Sequence, residues 1–170
     1  MENLNRRLQG LKDKSDAKQL QMVIADIYER LRSVSLASAG LVISATTTKV
    51  KTGAAAVQYS AGGTLGSIAA ATDMPVLSGT VTNAKFNVFV FSVSSAGTTY
   101  SQMGTESATF AGVRWPNVPT NRAILGFVII NPTGTGNFVG GTTALGDATV
   151  VPNAVYVNTQ GAFDPNAFVQ

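Results

Sequence analysis

Residues able to do chemistry are few and scattered in this chain. Beyond residue 35 the only carboxylates are Asp73, Glu106, Asp147 and Asp164, each at least 17 residues from the next. A general acid–base pair or glycosidase-type dyad would need the fold to bring two of them together. As spaced, each reads as a turn or surface group, and Asp164-Pro165 is a common turn pair. The chain has no Cys and no His. That removes disulfides, thiol nucleophiles, Ser-His-Asp triads, His- or Cys-based metal sites and the commonest general base, and leaves a hydrolase as the weakest functional reading. Closely spaced Asp and Asn ligands of the D-x-D-x-D kind are missing too. The run Gly134-Thr135-Gly136-Asn137-Phe138-Val139-Gly140 lacks both the G-x-G-x-x-G spacing and a following G-K-Ser/Thr, so it reads as an inter-strand loop rather than a phosphate cradle. Trp115 with Tyr59, Tyr100 and Tyr156 could form a sugar-stacking platform, but Trp115-Pro116 at a strand end fits a core plug better. No catalytic, cofactor-binding or metal-binding residue is assigned, and no cofactor is expected.

The 170 residues suit one domain. Charge divides the chain unevenly. Residues 1–34 carry seven of its twelve basic groups and five of its nine acidic ones, leaving five and four for residues 35–170. Soluble surfaces usually carry far more charge, so the body is expected to hide part of its surface against copies of itself or a partner. The pI of 9.4 rests on a net charge of only +3. Arg6, Arg7, Lys12, Lys14 and Lys18 are interleaved with Glu2, Asp13 and Asp16 rather than clustered, which argues against a nucleic-acid partner. No signal-peptide h-region follows the N-terminal charges, and the longest apolar run, Ala123 to Ile130, is too short to span a bilayer. No membrane partner is expected, and synthesis in the cytoplasm is.

The elements that would position any site follow from periodicity. From Asp16 to Val34 the apolar residues Leu20, Ile24, Ile27, Leu31 and Val34 fall at steps of 4, 3, 4 and 3, the heptad steps of a helix. Asp16 with Gln19 suits an N-terminal capping box, and Arg30 and Arg32 suit the C-terminal end of the helix dipole. Val23 and Tyr28 widen the stripe, which favours a trimer or a globular partner over a dimer. Leu20, Ile24, Ile27, Leu31 and Val34 are therefore the candidate interface with sister copies or a partner protein; the competing reading packs this helix on the chain's own β body. Leu4, Leu8 and Leu11 repeat the step out of phase and suggest a separate short helix. Residues 1–35 are read as a helical anchoring segment and 36–170 as the body.

That body contains strand candidates at Leu41–Ala45, Thr47–Lys51, Ala55–Tyr59, Phe86–Val93, Thr98–Gln102, Thr109–Arg114, Ala123–Ile130 and Ala154–Asn158. Phe86–Val93 and Ala123–Ile130 are apolar at both odd and even positions, as in central strands covered on both faces. No helical period alternates with the strands, so βαβ units are excluded. The expected fold is mainly β, an antiparallel β-sandwich of jelly-roll or Ig-like kind preceded by an N-terminal α-helical segment.

Three stretches, Leu77 to Phe91, Ile124 to Leu145 and Ala148 to Asn158, resemble virion structural proteins of tailed bacteriophages, a likeness covering about residues 36–165. The resemblance implies a non-enzymatic, trimeric component of the virion, made in the host cytoplasm, of the capsid decoration (cement) or head-fibre type. Its implied partners are further copies of itself and the major capsid protein or another virion protein. A tail-fibre or host-adhesin module that binds cell-surface glycans is the alternative.

Overall fold

The computed structural model describes residues 14–163. Helix α1 (Lys14–Leu31) is followed by β1 (Val34–Ser35), β2 (Val42–Ile43), β3 (Val50–Lys51), β4 (Val57–Ala61), β5 (Thr64–Ile68), β6 (Thr80–Val81), β7 (Asn87–Val93) and β8 (Thr99–Met103). A 3₁₀ turn (Phe110–Gly112), β9 (Ala123–Ile130), β10 (Phe138–Val139) and β11 (Val155–Asn158) complete the order. Every ladder is antiparallel, and the sheets run β11-β9-β7-β8, β1-β4-β5, β10-β6 and β2-β3. The fold is mainly β, as expected. Val57, Tyr59 and Ala61 of β4 share one buried cluster with Phe89, Phe91 and Val93 of β7 and with Leu125, Val128 and Ile130 of β9. The three- and four-stranded sheets thus enclose a common core in a sandwich-like arrangement.

Strands β7 and β9 are buried on both faces. Phe89, Phe91 and Val93 point into the main core, while Val90 joins Val118, Ile124 and Phe127 in a second, smaller cluster closed by Trp115 and Phe163. Burial on both faces explains why β9 is apolar without alternation, and its register adds a change of phase. Phe91 pairs with Gly126 but Ser92 pairs with Ile124, so Leu125 has no partner on β7 and forms a bulge. The extra residue shifts the phase by one, so that Ile124 and Phe127 face the second cluster while Leu125, Val128 and Ile130 face the first. Gly126 sits at the shift with φ +154, and a Cβ there would meet the Val157 carbonyl oxygen and Leu41.

Several sequence expectations need correction. The helix ends at Leu31 rather than Val34, because Val34 pairs with Ser60 and is drawn into β1. Val34 therefore leaves the helical stripe, and the β body begins before the expected boundary at residue 35. Asp16 lies within the helix instead of capping it. Thr109–Arg114 is no strand; its centre is the exposed 3₁₀ turn, and only Arg114 bridges, to Thr105. Strands β1, β5, β6 and β10 have no counterpart among the strands expected from sequence. Leu4, Leu8 and Leu11, and the Asp164-Pro165 turn, lie outside the described residues.

Gly126→Ala should destabilise the body by about 1–3 kcal/mol, because the bulge cannot accept a side chain without displacing β11. A urea titration checks it; an unchanged midpoint would contradict this account of β9.

Candidate functional site

Three of the acids considered for catalysis are each tied to neighbours of their own. Asp73 accepts a hydrogen bond from Ser44 Oγ at 2.6 Å and lies 3.9 Å from Lys49 Nζ. Asp147 accepts from the N–H and Oγ of Thr149, which holds its carboxyl below the usual range. Glu106 bonds Lys85 Nζ at 2.7 Å and the backbone N–H and Oγ of Thr82 at 2.7 and 2.8 Å. Those contacts, the Lys85 bond first, pull its carboxyl down to about 2. Among the described residues no three acids gather at a site able to hold a metal ion.

The other candidates resolve in the same way. The Gly134–Gly140 segment is an inter-strand loop leading into β10, with Asn83 Nδ2 donating to the carbonyls of Gly134 and Gly136. Trp115 stands edge-on to Phe127, ring centres 4.7 Å apart, and packs against Phe163 as part of the second core cluster. Tyr59 is buried beneath Gly66, and Tyr100 is covered by the Arg122 guanidinium 3.6 Å above its ring. The four aromatic residues do not form one exposed platform.

What the structure does expose is the apolar stripe of α1. Ile24 is 50% exposed, Ile27 52% and Leu31 62%, with Val23 and Tyr28 exposed beside them and Leu20 partly so. The heptad residues on the helix are thus presented together on one face, and the β body does not cover them. The reading that packs α1 on its own body is contradicted. An apolar stripe left in water forgoes roughly 1.5–3 kcal/mol for each large side chain that a partner would bury.

The helix is nevertheless held firmly at its end. The Arg32 guanidinium donates to Glu29 Oε1 at 3.0 Å and to the Gly62 carbonyl at 2.7 Å, and lies 5.3 Å from the centre of the Tyr28 ring. The Arg32 carbonyl accepts from Gly63 N–H and Ser60 Oγ, and Ser33 Oγ accepts from Gly62 N–H. The end of α1 is clamped to the β4–β5 hairpin turn, where Gly62 and Gly63 take φ +56 and +82. Gly63 lies in the left-handed region that favours glycine, and a Cβ there would displace the Arg32 guanidinium. The dipole argument placed Arg32 at the helix end but gave no sign of its second role; the Gly62-Gly63 pair was the available signal.

No helix among the described residues is long and apolar enough to cross a membrane. No protein-family model, curated protein or solved structure matches the chain.

Glu106 allows a pH test. Its folded-state carboxyl lies below the ordinary 4.5, so its contribution is complete above about pH 4.5 and is lost as the pH falls towards 2. Glu106→Gln should lower stability at pH 7, and the difference from wild type should shrink through that window and close near pH 2. Thermal melts across the range check this; parallel curves at all pH values would contradict it.

Proposed function

We propose that this chain is a non-enzymatic structural protein of a tailed-bacteriophage virion, a capsid decoration protein that assembles as a trimer through α1 and binds the completed shell. The observation that carries the reading is the exposed stripe of Ile24, Ile27 and Leu31, with Leu20 partly exposed, on a helix bonded to the β body at one end. A helix whose apolar face is left bare by its own domain needs another protein surface. The breadth of the stripe, with Val23 and Tyr28 alongside, suits three helices better than two. The charge-poor body and the three phage-like stretches support the same reading, as does the local satisfaction of Asp73, Glu106 and Asp147, which leaves no acid pair poised for catalysis among the described residues.

Decoration acts by linkage. A protein that binds only the assembled shell stabilises that state, by about 2.7 kcal/mol per site at a hundredfold excess over the dissociation constant. Many modest sites on one particle then add together.

Particles stripped of the protein should lose DNA at lower temperature than complete ones, and adding back the wild-type chain should restore them without nucleotide, metal or cofactor. Ile27→Asp should fail to restore them while its β body stays folded, because a buried isoleucine contributes roughly 1.5–3 kcal/mol and a charge at the seam adds a desolvation cost. Equal heat resistance of stripped and complete particles, together with lost attachment to host cells, would reject decoration in favour of a glycan-binding adhesin.

A further inference from the structure

A second exposed apolar surface lies directly beyond the Arg32 clamp. In the sheet β1-β4-β5, Val34 opposes Ser60 and Ser60 opposes Leu65. Gln58 opposes Ser67, and its carbonyl accepts the Leu36 N–H. Residues directly opposed in an antiparallel ladder share a face. One face of this sheet therefore carries Val34, Ser60 and Leu65 in one row with Leu36, Gln58 and Ser67 beside it. The opposite face carries Tyr59 into the core. Leu65 is 75% exposed and Leu36 48%, so the outer face is apolar at its most prominent positions and open.

The edge of the same sheet is also open. Among the described residues strand β5 is bonded only to β4, in unbroken register from Thr64 to Ile68. Protein edges are ordinarily blunted by charge, proline or a bulge, and Thr64-Leu65-Gly66-Ser67-Ile68 has none of these. Strands β1, β4 and β5 carry no charged residue at all. An identical chain could approach this surface without like-charge repulsion.

We propose that the Leu65 face of the β1-β4-β5 sheet is covered by a second copy of this chain, so that one self-association interface runs from the stripe of α1 onto the β body. The inference rests on the reading of α1 as a self-association surface and extends it. Two features favour a second copy as the occupant. The stripe on α1 spans little more than two heptads, short of the three to four that a self-sufficient coiled coil uses, so the assembly needs more buried surface than the helix supplies. The hairpin that presents Leu65 is the one bonded to Arg32 and Ser33, so the sheet face adjoins the end of the helix that carries the stripe.

The test is sedimentation velocity over a concentration series on the full chain, with Leu65→Asp, Leu65→Ser and Ile27→Asp compared with wild type and folding checked by thermal melting. Position 65 is exposed in the single chain, so both substitutions there should leave the melt of the dissociated protein unchanged. Leu65→Asp should weaken assembly at least about tenfold, the low end of what burial of one leucine contributes, with Leu65→Ser intermediate. If both Leu65 variants assemble like wild type while Ile27→Asp does not, the sheet face is not part of the interface, and the reading of α1 survives alone. A wild-type chain that stays monomeric would overturn both. Normal assembly of Leu65→Asp with lost binding to particles would assign the face to the shell protein and overturn the proposal.

Discussion

The pairing of β7 with β9 is the constraint on which the rest of the chain depends. These two long strands satisfy each other's backbone groups along most of their length and bury side chains on both faces. A ladder of that kind must be covered twice, and the chain wraps around it accordingly. The β1-β4-β5 sheet and the short β6-β10 and β2-β3 ladders contribute to the core on one side, while Trp115, Val118 and Phe163 close the other. The bulge at Leu125 sets which apolar residue of β9 goes to which side, and Gly126 is what allows β11 to lie alongside it.

The two core clusters of the body close around its own central strands and take in no residue of α1. The stripe of α1 stays exposed, and the helix is bonded to the body at Arg32 and Ser33. Asp73, Glu106 and Asp147 are engaged where they lie, and Trp115, Tyr59 and Tyr100 lie in core clusters or beneath other groups. Large exposed apolar side chains lie on α1 and on the neighbouring sheet face at Leu36 and Leu65, with others at Val42, Val76, Phe110, Val139 and Val155.

Much of this was legible in the sequence where a periodic signal was long. The doubly apolar runs Phe86–Val93 and Ala123–Ile130 identified the central ladder, and the 4-3-4-3 steps located the helix and its stripe. The reading failed where local pattern was overridden by pairing. Val34 continues the heptad numerically, yet its backbone is taken by Ser60. Thr109–Arg114 alternates like a strand, but only Arg114 has a backbone bridge. Strand β5 was missed because Gly66 and the exposed Leu65 gave it no buried alternation, although Gly62-Gly63 is a strong hairpin signal. The role of Arg32 depends on a contact across 30 residues, which periodicity along one helix does not reveal.

The central claim, that the bare stripe of α1 is an assembly surface, is tested most directly by light scattering on the full-length wild-type chain at micromolar concentration. The account predicts a particle of three chains, each of 17.6 kDa. A mass of one chain, unchanged as concentration rises, would contradict it.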